Sequence, residues 1–272
     1  MDRETFLVDA YPPSQIARLV EKAGVAKAHT DALTVLVLAV LAGAFISLGA
    51  LLFTVVATDP RLGFGVTRLL GGLGFCLGLV LVVVAGAELF TGNNLLAMAW
   101  ASRLISTSDV LRNWLLAYVG NAVGCLGTVL FVVWGNVAAL DGGAVGATAV
   151  QIASAKAGLS LGEAFARGVL CNALVCLAVW LAMGGRSLAD KILAVLFPIT
   201  AFVAIGFEHS IANWFFLPFG LALDRQGAVA VAGVARNLVA VTAGNIVGGS
   251  LLVAGVYWIA YLRGGRMKQP EK

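Results

Sequence analysis

The sequence places a histidine, His209, within a long and otherwise apolar stretch. It is one of two histidines in the chain, and Glu208 and Ser210 flank it. An imidazole has a reference pKa of about 6.5, so it could exchange a proton or donate a hydrogen bond near neutral pH. A satisfied packing partner is the alternative. The polar neighbours favour a solute pathway, because ionisable groups inside an apolar stretch usually serve function.

Two further polar side chains lie in apolar surroundings. Thr91 offers a hydroxyl that can donate to an anion or accept from an imidazole, or it could cap the short helix that follows. Asn172 follows Cys171 in a nearly apolar stretch. Its amide could donate to a solute, fix the tautomer of a histidine, or link two helices.

Glu88 and Glu208 each interrupt a long apolar stretch. Each precedes a short helical segment, where a carboxylate can accept free N–H groups and stabilise a break in the chain. We therefore interpret both as structural. Asn93 and Asn213, which end the same short motif, belong to this group.

Composition defines the class of protein. Of 272 residues, 60% are hydrophobic and 12% are charged, and the mean hydropathy is +0.96. Soluble chains have about a quarter charged residues. The chain is therefore predicted to be an integral membrane protein with the lipid bilayer as a partner. The net charge of +4 comes from singly scattered Lys and Arg residues, so no nucleic-acid partner is expected.

Enzyme signatures are missing from the sequence. It contains no Walker loop, G-x-S-x-G, H-E-x-x-H or paired-cysteine site. We expect no enzyme activity, no metal and no cofactor. The cysteines lie inside apolar stretches and are predicted to be buried free thiols: Cys76, Cys125, Cys171 and Cys176.

The uncharged runs predict six membrane crossings. Four are simple: 32–58, 113–140, 168–185 and 237–262. Two longer stretches, 69–102 and 192–223, are interrupted only by Glu88 and Glu208. At about 1.5 Å per residue, a straight helix of that length would exceed a hydrocarbon core of about 30 Å. Each is therefore predicted to be a broken helix.

The two broken stretches share a motif. Residues 86–93 and 206–213 both fit G-x-E-x-x-x-x-N, and the next crossing of each half contains Gly120-Asn121 or Gly244-Asn245. Three crossings are an odd number, so the second half must enter the membrane inverted. The predicted fold is an all-α membrane protein with a three-plus-three inverted repeat. Such repeats usually place a solute pathway at the midplane, between the broken helices.

The distribution of basic residues predicts the orientation. With the N-terminus inside, twelve Lys and Arg residues lie on the cytoplasmic side and six on the other. Both termini are then cytoplasmic in a multi-pass protein of the cell inner (plasma) membrane. Residues 1–30 are predicted to form a cytoplasmic amphipathic helix with Ser14 as N-cap, serving as an anchor or a lid. Residues 31–262 are predicted to form a six-helix transmembrane channel domain, and residues 263–272 a cytoplasmic C-terminal tail.

The strings at 87–93 and 206–213, with Gly185-Arg186-Ser187-Leu188 between them, resemble the signatures of the formate/nitrite transporter family. The resemblance covers nearly the whole chain. It implies an aquaporin-like protomer in a homopentamer, with a pore for small monovalent anions in each protomer. Retention of Pro218 resembles the formate branch, so formate is expected, with nitrite or hydrosulfide as alternatives.

The resemblance also assigns roles to residues. It implies a central polar site formed by His209, Thr91 and Asn172, and places Lys156 in the outer vestibule. It implies constrictions formed by Phe75, Leu79, Leu89 and Phe202. On composition alone, these four apolar side chains would usually indicate packing.

We expect an anion to lose water at an apolar constriction and then meet a hydrogen bond or a proton from His209. Two other functions remain open. A neutral-solute channel could use the same number of spans, although Asn-Pro-Ala repeats are missing. A membrane scaffold or sensor could use the polar breaks to bind partner helices.

Overall fold

The described part of the chain, residues 10–58 and 60–263 of a computed structural model, folds into helices and loops without β-strands. The predicted all-α class is therefore confirmed. The helices of the first half are α1 (Pro13–His29), α2 (Ala32–Ala57), α3 (Phe64–Ala85), α4 (Phe90–Asn93), α5 (Ala97–Ala101) and α6 (Thr107–Trp134). Predictions for residues 1–9 and 264–272, which include most of the tail, lie outside the described residues.

The second half repeats this order. Its helices are α7 (Ala144–Ala157), α8 (Leu161–Gly184), α9 (Leu188–Ile205), α10 (Ser210–Leu223), α11 (Val231–Val247) and α12 (Val256–Tyr261). A π-helical segment, Gly248–Gly255, joins α11 to α12. Helices α7 to α11 correspond to α1, α2, α3, α4 with α5, and α6, so the predicted inverted repeat is confirmed.

Seven of the described helical segments are long and apolar enough to cross a membrane. One of them, residues 137–157, contains the non-helical residues Leu140, Asp141 and Gly142. What remains of it is α7, whose 14 residues are fewer than the roughly 20 that a crossing needs. Counting residues 137–157 as a crossing gives seven and leaving them out gives six, so the predicted count of six is approximate.

Serine caps define where several helices begin. Ser160 accepts a hydrogen bond from the backbone N–H of Glu163, whose carboxylate accepts from the N–H of Ser160 in return. Ser106 with Asp109 and Ser187 with Asp190 form the same reciprocal pair. Each cap satisfies N–H groups that the first helical turn leaves free.

Glycine ends the helix before each break. Gly86 has φ of +80° and Gly206 has φ of +88°. A side chain is strained in this left-handed region, so glycine is the residue that can end α3 and α9 in this way. The chain then runs extended through Leu89 and His209 before α4 and α10 begin. Both predicted breaks therefore lie at the motif glycines.

Helix α1 packs on protein. Its buried residues include Ile16 and Val20, which contact a cluster containing Leu95, Met98 and Trp180. The predicted cap is wrong: the N-cap is Pro12, and Ser14 lies inside the first turn. Proline suits that turn because it lacks the N–H that would otherwise be left free.

Helix α7 was not predicted from the sequence, because its residues fall between the predicted crossings 113–140 and 168–185. Its buried face consists of every fourth residue: Val145, Ala149, Ala153 and Ala157. This face packs closely on α10, since a Cβ added to Gly220 would lie 2.2 Å from Cβ of Ala153. The four cysteines are free and buried, as predicted.

Candidate functional site

Thr91 and His209 meet where the two breaks face each other. Oγ1 of Thr91 lies 3.0 Å from Nε2 of His209, and both side chains are buried. Nδ1 of His209 accepts a hydrogen bond of 3.0 Å from the backbone N–H of Ala212. A nitrogen that accepts has no proton, so we infer that the ring is neutral and that Nε2–H donates to Thr91. His209 is the N-cap of α10. The N-cap of α4 is Leu89, without a side-chain hydrogen bond, so Thr91 does not cap the short helix of its own break.

Aromatic rings cover one side of this pair. The ring of Phe202 stacks on the imidazole, with centroids 5.9 Å apart and planes at 18°. Phe75 meets Phe202 edge to face at 5.6 Å. Phe75, Phe202 and His209 line a cavity of about 320 Å³, which we call the histidine-side cavity.

A second cavity lies on the other side of the pair. It has a volume of about 360 Å³ and is lined by Leu79 and Leu89, among others. We call it the leucine-side cavity. Leu89 has the same position before α4 that His209 has before α10. Of the described residues, none lines both cavities; His209 lines the histidine-side cavity, and Gly92, next to Thr91, lines the leucine-side cavity.

A four-residue polar cluster stabilises the break on the histidine side. Nζ of Lys156 lies 2.8 Å from Oε1 of Glu208. Nδ2 of Asn213 donates to the other carboxylate oxygen at 2.7 Å and to Oδ1 of Asn237 at 2.7 Å. Asn237 in turn donates to the backbone carbonyl of Lys156 at 2.9 Å. The carboxylate is 4% exposed, so its charge is compensated almost entirely by protein groups.

The first half contains the same cluster. Nζ of Lys27 lies 2.6 Å from Oε1 of Glu88, and Nδ2 of Asn93 donates to Oε2 of Glu88 at 2.7 Å. Asn93 also donates to Oδ1 of Asn113, which donates to the backbone carbonyl of Lys27 at 3.3 Å. Sequence analysis missed Lys27, Asn113 and Asn237. Their matching positions in the two halves were the available signal.

Two further asparagines satisfy the backbone of the breaks. Oδ1 of Asn121 accepts from the N–H of Phe90, and Oδ1 of Asn245 accepts from the N–H of Ser210. Their Nδ2 groups donate to the carbonyls of Glu88 and Glu208. From the sequence, the two glutamates were expected to accept these N–H groups. The structure instead directs the carboxylates towards Lys and Asn side chains.

Asn172 lies beside the central pair without a hydrogen bond to the imidazole. Its Nδ2 is within hydrogen-bond distance of the carbonyls of Thr91 (3.2 Å) and Asn245 (2.7 Å), and of Oδ1 of Asn94 (2.8 Å). It therefore links α8 to the first break and to α11. Its Oδ1 is buried without a partner among the residues that the structure describes.

Broken helices in inverted halves, with polar groups between two cavities, define a multi-pass membrane protein of the transport class. The sequence model of the family described as formate/nitrite transporter matches residues 14–259. The chain belongs to the formate/nitrite transporter family.

Several relatives are similar along most of their length. The chain is 40% identical to "Formate channel FocA" of Escherichia coli (strain K12), over 94% of this chain and 96% of that one. It is 41% identical to the "Probable formate transporter" of Methanothermobacter thermautotrophicus, with 92% and 94% covered.

Solved structures give the same result. A "Pentameric formate channel with formate bound" matches with a TM-score of 0.80 at 38% identity, covering 85% of this chain and 98% of that one. An "FNT family ion channel" matches with a TM-score of 0.83 at 29% identity, covering 91% and 99%.

Proposed function

We propose that the protein is a channel for small monovalent anions, with formate as its substrate, and that it assembles as a homopentamer. The relatives named as formate channels and the pentameric neighbour with bound formate support this proposal. The names of these relatives do not favour nitrite. The observation on which the proposal chiefly depends is the Thr91–His209 pair between the two cavities.

The pathway runs from the histidine-side cavity, past Phe75 and Phe202, to the central pair. It then continues past Leu79 and Leu89 into the leucine-side cavity. The two apolar constrictions remove water from the solute, which is costly for a charged group. Lys156 lines the first cavity, where its ammonium group is paired with Glu208 and has further N–H groups that can donate to an anion. Both termini are cytoplasmic, and the histidine-side cavity then opens to the outside.

His209 acts as a neutral hydrogen-bond donor. Protonating Nδ1 would direct its new N–H against the N–H of Ala212, so the ring is held in the Nε2–H tautomer. That N–H, together with the hydroxyl of Thr91, stabilises the anion where the surroundings are apolar. Since His209 does not relay a proton, any proton that crosses with formate is carried by the solute itself, as formic acid.

Radiolabelled formate uptake into proteoliposomes tests this proposal. We expect His209→Gln to retain flux within about tenfold of the wild type, since its amide can donate from a similar position. His209→Phe preserves an aromatic ring without a donor and should lose about tenfold to a hundredfold, the effect of one buried hydrogen bond on a barrier.

Equal flux through both variants would eliminate the donor role. Wild-type vesicles that take up no formate would refute the channel function itself. Permeation by glycerol alone would indicate a neutral-solute channel.

A further inference from the structure

The two cavities are built from equivalent positions but differ in charge. The backbone carbonyl of Leu38 accepts the N–H of Glu88 at 3.2 Å, and that of Arg167 accepts the N–H of Glu208 at 3.3 Å. Leu38 and Arg167 are therefore equivalent, and each lines the cavity of its own half. A leucine on one side thus corresponds to an arginine on the other.

A second arginine repeats this difference. Arg68 lines the histidine-side cavity, and Leu188 stands as far before Gly206 as Arg68 stands before Gly86. Leu188 is 58% exposed and does not line the leucine-side cavity. Arginines thus replace leucines twice on the histidine side. The leucine-side cavity has one lysine outside its Lys27–Glu88 pair, Lys191, so the histidine-side cavity has one positive charge more.

Arg68 contacts the end of the broken helix. Its Nε donates to the carbonyl of Ala204 at 3.0 Å, and its Nη2 donates to the carbonyl of Val203. The guanidinium carbon lies 5.3 Å from the ring centroid of Phe53. Both carbonyls belong to the last turn of α9, which forms the negative end of the helix dipole. The carbonyl of Val203 also accepts the N–H of Gly206 at 3.2 Å, so the carbonyl of Ala204 is the one for which Arg68 replaces a missing backbone partner among the described residues.

The described residues provide no such group at the other break. Val83 and Val84 are the equivalents of Val203 and Ala204 before Gly86. In residues 10–58 and 60–263, no side chain donates a hydrogen bond to either of their carbonyls. Only two of the five N–H groups of Arg68 are used by α9, and the rest of its charge acts on the cavity.

Resting on the proposed channel function, we infer that Arg68 is a specificity-determining residue at the histidine-side entrance. It neutralises the carbonyl end of α9, which would otherwise repel an anion one turn from Phe202. It also adds a positive charge that the pair of Lys156 and Glu208 does not supply, because that pair compensates itself. The histidine-side cavity therefore binds anions more tightly with Arg68 than it would without this residue.

The concentration dependence of formate uptake into proteoliposomes tests this inference. Arg68→Gln retains a hydrogen-bond donor for α9 and loses the charge. We expect this variant to raise the KM for formate about threefold to tenfold at low salt, because one partly screened positive charge is lost. Its Vmax should stay within about twofold of the wild-type value. Arg68→Lys should keep KM within about twofold. Arg225→Gln removes an exposed charge outside both cavities and should behave like the wild type.

An unchanged KM in Arg68→Gln, or a fall in Vmax alone, would overturn the inference and leave the channel function intact. Wild-type vesicles without formate uptake would overturn both. If Arg68→Gln does not elute as an intact oligomer on size exclusion, the wild type supplies the test. Its KM must rise when ionic strength increases from about 0.01 M to about 1 M, and a constant KM refutes the inference.

Discussion

Oη of Tyr118 and Oγ1 of Thr242 form a hydrogen bond of 3.0 Å, although the two residues occupy the same position in the two halves. Each lies just before the Gly-Asn pair of its helix, α6 or α11. Equivalent residues can touch only where the two-fold axis of the repeat passes between them. Cys76 and Leu196 are a second such pair, with Sγ 3.5 Å from the carbonyl oxygen. The axis therefore runs from the α3–α9 contact to the α6–α11 contact.

Removing the hydroxyl of Tyr118 or Thr242 should loosen the contact between the halves. We expect Tyr118→Phe and Thr242→Val each to lower the free energy of unfolding by about 0.5–1.5 kcal/mol, the net value of one hydrogen bond. In a double-mutant cycle measured by denaturant titration in micelles, the double variant should cost less than the sum of the single variants. Strict additivity would show that the bond contributes nothing.

Asn245 satisfies three backbone groups around one break: the N–H of Ser210 and the carbonyls of Glu208 and Gly168. Asn245→Ala leaves these groups buried without partners and should lower the free energy of unfolding by about 2–3 kcal/mol. The exposed amide of Gln151 is the control, and Gln151→Ala should stay within about 0.5 kcal/mol of the wild type. Similar unfolding curves for both variants would contradict this role.

The ion pair of Lys156 and Glu208 is more buried than that of Lys27 and Glu88, with carboxylates 4% and 13% exposed. Lys156→Met leaves a buried charge unpaired and should destabilise the protein by about 3–5 kcal/mol. Lys27→Met should cost less. Adding Glu208→Gln to Lys156→Met should restore most of the loss in thermal unfolding. A double variant as unstable as the single one would show that packing, and not charge, is responsible.

Gly86 and Gly206 have positive φ, so Gly86→Ala and Gly206→Ala should each cost about 1–2 kcal/mol of unfolding free energy. The cost should be greater at Gly206, where a Cβ would lie 3.2 Å from Nη2 of Arg68, while the space at Gly86 is open. Gly127 is helical and equally open, so Gly127→Ala should be neutral or stabilising in the same assay. Equal losses of unfolding free energy at Gly86, Gly206 and Gly127 would show that the positive φ does not determine the cost of the substitution.

The sequence predicted the breaks well because their signals are local. A carboxylate in an apolar stretch and a repeated glycine are visible within a few residues, and the inverted arrangement follows from an odd number of crossings. Helix α7 was not visible in the same way. Its buried face is mostly alanine, which gives a weak hydropathy pattern, and Lys156 lies in the same segment.

The polar clusters could be predicted only in part. Glu88 and Asn93 are close in sequence, but Lys27 lies 61 positions from Glu88 and meets it only in the folded chain. The hydrogen bonds of Asn172 to backbone carbonyls had no sequence signal, because spacing does not reveal which carbonyl a folded helix presents. The roles of the predicted constriction residues stay predictions that flux measurements must test.

Leu89 and His209 occupy matching positions in the two halves. The two-fold symmetry that relates the halves is therefore broken at the centre of the protein. A duplicated ancestor with identical halves would have had the same side chain at both positions. With histidine at one position and leucine at the other, the two approaches to the centre differ in polarity. Either half expressed as a self-pairing fragment would therefore recreate a core unlike the present one.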